Sequence, residues 1–274
     1  MRFQTLPIVL ASTSLAVAQN ASTSPGYTGY PDPIASTLAS NSSLSFGQNY
    51  AVLNLDLING LVSPLASTPA GSSFIASTAS WIDAVHALSP PPLSIFTRIY
   101  FSNARKPEVK PGSGFEKASA PLTTANASAT QIYPAFHVDE AAGDVVLQKT
   151  RYYAGTGNAL EEILRAQGID TVILSGVRTS GVILSTAYRL FDLDYNVYVS
   201  VLSSFRGLIF LLEGLCLLTK RFRYVISNNT IETPPDTPGI NAAILEGVIP
   251  KLPANVISVE QAIEALGNSG PAVY

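Results

Sequence analysis

Tyr50-Ala51-Val52-Leu53-Asn54-Leu55-Asp56 is a nearly continuous apolar run that ends in an acid. A run this short, without the apolar-polar alternation of a half-exposed strand, is the pattern of a strand buried on both faces. Working outward, comparable runs occur at residues 93–101, 144–148, 171–174, 195–199 and 255–259. Between them lie segments with helical spacing. Residues 71–88 carry Phe74, Ile75, Trp81, Ile82 and Val85 and are stopped by Pro90-Pro91-Pro92; Leu160, Ile163 and Leu164 precede Gly168. Further helices are expected at 182–191, 241–246 and 260–266. Strands alternating with helices predict an α/β fold, a single domain with a three-layer αβα, mostly parallel Rossmann-like sheet.

In such sheets ligands bind beyond the carboxyl ends of the strands, where the strand order switches. Asp56, Lys149 and the turn Val177-Arg178-Thr179-Ser180-Gly181 all fall at predicted strand ends. One acid, one amine and the start of a helix therefore face one crevice. Each also has a plain structural reading, as a loop cap, a solvated charge or a turn; their joint placement is what favours a site. The polar stretch 102–143, with Arg105, Lys106, Lys110 and Lys117, is longer than an ordinary connection and is expected to supply pocket walls.

Composition removes other classes of function. The single Cys216 forms no internal disulfide, and with His86 and His137 it falls short of a structural zinc set. No metal and no cofactor are expected. A net charge of -3 argues against a nucleic-acid surface. With 47% hydrophobic and 13% charged residues over 274 positions, the chain has enough apolar material for one large core.

Residues 1–18 read as a secretory signal peptide: Met1-Arg2, an apolar stretch, then Ala16-Val17-Ala18 at the expected cleavage position. Asn-x-Ser/Thr acceptors at Asn20, Asn41, Asn126 and Asn228 agree with an exported glycoprotein. Residues 19–49, rich in Ser, Thr, Gly and Pro, read as a flexible lead-in, 50–266 as the folded domain and 267–274 as a tail.

The run from Ala51 through Asp56 to Leu57-Ile58-Asn59-Gly60-Leu61-Val62 resembles the opening motif of the isochorismatase-like hydrolases of the cysteine-hydrolase superfamily. Val145-Val146-Leu147-Gln148-Lys149 followed by Leu160 to Asp170, and Ser175-Gly176-Val177-Arg178-Thr179-Ser180-Gly181-Val182, are similar to the family's lysine strand and nucleophile segment. The resemblance implies Asp56 as proton shuttle, Lys149 as its partner, and a cysteine nucleophile at a position that Val182 occupies here. It also implies a non-proline cis peptide at Val177-Arg178, and Arg178 departs from the small residue common there. True isochorismatases resemble this case in lacking the thiol and hydrolyse a vinyl ether, a reaction that needs a general acid of raised pKa rather than a nucleophile. Ser180 is a second candidate nucleophile, but a serine at a helix start reads first as an N-cap.

The expectation is therefore a secreted, thiol-independent hydrolase of a small polar or anionic substrate. Asp56 and Lys149 are the catalytic pair, and Val177, Arg178, Thr179, Ser180, Gly181 and Val182 contact substrate. The alternative is a pseudoenzyme of the same fold that binds a ligand or protein. The resemblance adds homo-oligomer formation.

The family pattern breaks after Val197 and resumes at Val225-Ile226-Ser227-Asn228. The apolar stretch 205–218 is short for a membrane span and carries Arg206 and Glu213, so no stable span is expected. The reading adopted for 198–223 is a retained intron. Its codons are compatible with a GTATGT donor, a CTAAC branch sequence and an AG acceptor, and its removal keeps the frame.

Overall fold

The computed structural model describes residues 44–201, 225–228, 230–232, 239–249, 252 and 255–270. All belong to one compact unit, Asp32–Tyr274. The expected signal peptide, most of the lead-in, Cys216, the 205–218 stretch and the extreme C-terminus lie outside the described residues.

Strand β1 (Tyr50–Leu55) is buried at every position. Helix α1 (Asn59–Val62) follows, and then α2 (Pro69–His86). The second of these starts where its chemistry dictates: Thr68 caps it by accepting the Gly71 N–H, and Pro69 takes the first turn, where no N–H is required. Its buried positions Phe74, Thr78, Trp81, Ile82 and Val85 recur at three- and four-residue spacing and form its inner face. Next come β2 (Leu93–Ile99), the short α3 (Gly114–Ala118), β3 (Val145–Lys149), α4 (Leu160–Ala166) and β4 (Thr171–Val177). A π-helical turn, Thr179–Ile183, leads into α5 (Leu184–Asp192). The remainder comprises β5 (Asn196–Val201), β6 (Val225–Asn228), β7 (Thr230–Ile231), α6 (Ile240–Ala242) with the π-turn Ala243–Val248, β8 (Asn255–Ile257) and α7 (Val259–Asn268).

The sheet is parallel, with the order β3-β2-β1-β4-β5-β6; β7 pairs with β4 and β8 with β5. Alternate residues of β1 feed opposite layers. Ala51, Leu53 and Leu55 pack with Leu160, Leu164 and Leu190 of α4 and α5, whereas Tyr50 and Val52 pack with Phe74, Trp81 and Leu266 of α2 and α7. This is the expected three-layer arrangement, and strand order reverses between β1 and β4. Gly176 is obligatory at that junction: its φ is +142, and a Cβ there would stand 2.0 Å from the Leu55 carbonyl oxygen of the paired strand.

The structure adds to the expected outline in three places. Phe46 is buried, its N–H bonds Ser269 Oγ, and Gly270 N–H bonds the Gly47 carbonyl. The ordered domain thus includes residues 44–49 and 267–270, because one aromatic anchor suffices to dock an otherwise polar segment. Residues 198–201 belong to β5 and pair with β4 and β8, and β6 is a separate strand beside β5. Finally, the stretch 102–143 contains α3 and two 3-10 turns. Phe101, Val109 and Leu122 form a small core of its own with Ile58 and Ile99. Tyr133 N–H bonds the Leu57 carbonyl and Asn59 N–H the Gln131 carbonyl, which ties this stretch beside the end of β1.

Candidate active site

The register of three strands builds the centre of the site. Leu55 of β1 pairs with Thr97 of β2, and Ile99 of β2 pairs with Lys149 of β3. Asp56, immediately after β1, adopts a left-handed φ of 56, a conformation uncommon for residues other than glycine but tolerated by aspartate. Its carboxylate Oδ2 meets Lys149 Nζ at 2.6 Å across the intervening strand. Thr97 fixes the acid twice. Its Oγ1 accepts the Asp56 N–H at 3.1 Å and donates to Asp56 Oδ1 at 2.8 Å. Lys149 donates a further bond to the Tyr152 carbonyl at 2.8 Å.

This pair is dry, with side-chain exposures of 2% for Asp56 and 0% for Lys149. Burial disfavours both charged forms. It raises the Asp56 carboxyl above the ordinary carboxylate range against the opposing pull of Lys149 and the Thr97 hydroxyl. It lowers the Lys149 ammonium, against the pull of Asp56. Both shifts bring the two groups' affinities for a proton closer together, and the two titrate as one coupled unit.

A cavity of roughly 410 Å3, including space open to solvent, lies against Asp56. The end of β4 and the following turn contribute Val177, Arg178 and Val182. Phe115, Ala118, Ser119 and Leu122 come from the 102–143 stretch, Leu61 from α1, Ile99 from β2, and Tyr152 follows β3. Phe115 and Tyr152 meet edge to face, with ring centroids 5.5 Å apart. The long stretch thus supplies one wall, as its length suggested.

Of the residues expected to contact substrate, Val177, Arg178 and Val182 border the cavity, whereas Thr179, Ser180 and Gly181 are engaged elsewhere. Thr179 Oγ1 donates to Asn241 Oδ1, Ser180 N–H to Glu232 Oε2 at 2.9 Å, and Gly181 N–H to the Arg178 carbonyl at 3.1 Å. The Val177-Arg178 peptide is cis, as the resemblance implies. His86 bonds both carboxylate oxygens of Asp144 and its ring contacts that of His137, while Asp139 caps a 3-10 turn. These groups serve structure rather than the cavity. Among the described residues, no cluster of three His, Cys, Asp or Glu side chains is placed to hold a metal ion. Likewise, no helix among them is long and apolar enough to cross a membrane.

Two residues were missed by reading the sequence. Thr97 lies inside an apolar strand, and only the register reveals that it faces Asp56. Glu232 lies beyond the break in the family pattern, where no motif marks it. Its Oε1 pairs with Arg178 Nε at 3.2 Å, and its side chain is 8% exposed against 32% for Arg178.

The isochorismatase domain model matches residues 50–201, more than half of the chain. The chain belongs to the isochorismatase family. The match starts at the first residue of β1 and ends with the last of β5, so it contains Asp56, Lys149 and the turn before α5. Among solved structures, an isochorismatase family protein from Burkholderia thailandensis is similar at 23% identity and TM-score 0.58, over 82% of this chain and 100% of that one. N-carbamoylsarcosine amidase from Thermoplasma acidophilum is similar at 16% identity and TM-score 0.53, over 78% and 98%. A pyrazinamidase/nicotinamidase from Streptococcus mutans is similar at 19% identity and TM-score 0.51, over 76% and 99%. At these identities the structural likenesses establish the fold. No curated protein matches the chain. Family membership makes a hydrolase the coarse description of this isochorismatase-family chain.

Proposed function

We propose that this isochorismatase-family chain is an exported hydrolase of a small polar substrate that works without a thiol, with Asp56 as general acid and base and Lys149 as its proton partner. The observation that carries this reading is the desolvated 2.6 Å Asp56–Lys149 contact at the wall of a cavity. Burial raises the Asp56 carboxyl, which favours its protonated form as the donor to a substrate atom, and Lys149 stabilises the carboxylate that remains. Asp56 then takes the proton of the attacking water, which closes the cycle. Val182 is buried at the start of the helical turn where the family places its thiol, and it brings an apolar surface rather than a nucleophile to the cavity. Ser180 is exposed and does not border the cavity, which disfavours it as a substitute. Export is supported by the leader-like residues 1–18.

The test is a hydrolysis screen of the full chain against isochorismate and simple amides. Turnover is expected to fall by about 10²–10⁴-fold in Asp56→Asn, the range for loss of a positioned acid or base. Turnover that survives Asp56→Asn ends the reading. Silence across the panel with the chain folded favours the pseudoenzyme alternative, which the missing nucleophile at Val182 already makes a specific rival.

A further inference from the structure

We infer that Glu232 sets the charge class of the ligand, so that the cavity selects an uncharged, flat molecule over the carboxylate of the same shape. This rests on the cavity being the substrate site and narrows the small polar substrate proposed above. The strand register places the residue. Thr230 and Ile231 pair with Gly176 and Val177, so Glu232 follows opposite Arg178. Its two carboxylate oxygens are then divided between the Arg178 guanidinium and the Ser180 N–H.

A bound carboxylate needs a cation or N–H donors whose capacity is not already taken, since an unpaired buried charge is costly. Among the described residues that border the cavity, the charged ones are Asp56 and Arg178. Asp56 is matched by Lys149, and the charge of Arg178 is balanced by Glu232 through Nε. The backbone donors Ser180 N–H and Gly181 N–H are also taken, by Glu232 and by the Arg178 carbonyl. An entering anion would therefore meet a guanidinium whose charge Glu232 already balances, while facing Glu232 and Asp56 as two carboxyls. Apart from Ser119, the remaining walls are mainly apolar, with Leu61, Ile99 and Leu122 beside the aromatic pair Phe115 and Tyr152. They suit a ring or similar flat body.

The experiment uses three non-hydrolysed probes of one shape and different charge: acetophenone, benzoate and benzamidinium, titrated into the full chain by ligand-observed NMR. Wild type is expected to bind acetophenone about tenfold or more tighter than benzoate, the scale of one unfavourable charge contact. Glu232→Gln removes the competing carboxylate and is expected to improve benzoate about tenfold relative to acetophenone. Arg178→Met leaves Glu232 in excess, and benzamidinium rather than benzoate is expected to gain. Benzoate binding wild type as tightly as acetophenone overturns the inference, as does acetophenone failing to bind at millimolar concentration. An unmoved ratio in folded Glu232→Gln also overturns it. If that variant does not fold, Arg178→Met and the wild-type ratio decide. Because the readout is binding, a silent hydrolysis screen with the expected ratios would favour the pseudoenzyme alternative and leave this inference standing. Turnover lost in Asp56→Asn with the wrong ratios would do the reverse.

Discussion

Two ion pairs border the cavity, and they differ in how much water reaches them. Asp56 and Lys149 sit at 2% and 0% exposure with a 2.6 Å contact, while Arg178 is 32% exposed and meets a buried Glu232 at 3.2 Å. In the dry pair, desolvation opposes both charges, and the Coulomb attraction between them only partly restores the ionised forms. Its protons are therefore movable. In the wetter pair, solvent reaches the guanidinium and the carboxylate serves to orient it. One edge of the sheet thus carries a desolvated ion pair and a solvent-accessible one side by side.

The sharpest way to break this contrast is Lys149→Met. Removing one partner of a buried pair is expected to cost about 3–5 kcal/mol near neutral pH. The cost depends on pH with a definite sign. Without Lys149 the two influences that lower the Asp56 pKa through that ammonium disappear, so the folded-state value rises further. The unfolded carboxyl titrates near about 3.9. The folded chain then keeps a proton that the unfolded chain has lost. This contribution to stability is fully present below about pH 4 and is lost as pH rises through the folded value, with a slope of up to about 1.4 kcal/mol per pH unit. Urea denaturation between about pH 4 and 8 checks it. A loss independent of pH would show that Asp56 is not the group left uncompensated. The double variant Asp56→Asn, Lys149→Met is expected to recover most of the loss, because no buried charge remains.

How legible this site was depends on which interactions define each residue. Asp56 and Lys149 end strands whose apolar runs are plain in the sequence, so topology alone brings them to one edge of the sheet. The turn before α5 was legible for the same reason. Thr97 was not, because a hydroxyl inside a buried strand looks like tolerated polarity until β1 and β2 are aligned in register. Glu232 depends on β7 pairing with the last residues of β4, a contact between segments far apart in the chain and beyond the break in the family pattern. That break also shows why the far end of β5 was hard to place. Tyr198-Val199-Ser200-Val201 and Tyr224-Val225-Ile226-Ser227 carry nearly the same pattern, and either suits the slot beside β4. The structure seats the first of them there. At the other end, Phe46 escaped notice because a single aromatic in a Ser- and Gly-rich segment is weak evidence of packing until the pocket that receives it is known.

A smaller effect is expected at Thr97→Val, which keeps the shape and removes both bonds to Asp56. The buried Asp56 N–H loses its acceptor, at a cost of about 1–3 kcal/mol. The lost hydroxyl donor had favoured the ionised carboxyl, so the Asp56 pKa moves up again. The limb of the pH–rate profile that reports Asp56 should therefore shift to higher pH, measured as kcat against pH on whichever substrate the screen identifies. A stability loss with an unmoved profile would make Thr97 a packing residue only.

The smallest stability effect belongs to the wetter pair. Arg178→Met should cost less than Lys149→Met, because water reaches this pair and Glu232 retains the Ser180 N–H as a partner. The loss should shrink further in about 1 M salt, where screening acts within about 3 Å. The Lys149→Met loss should hardly respond, since ions do not enter the space between Asp56 and Lys149. Denaturation of both variants at low and high salt therefore compares the two pairs directly. Equal salt sensitivity would mean that solvent reaches the Asp56 end of the cavity as freely as it reaches Arg178, and the raised Asp56 pKa on which proton transfer depends would lose its cause.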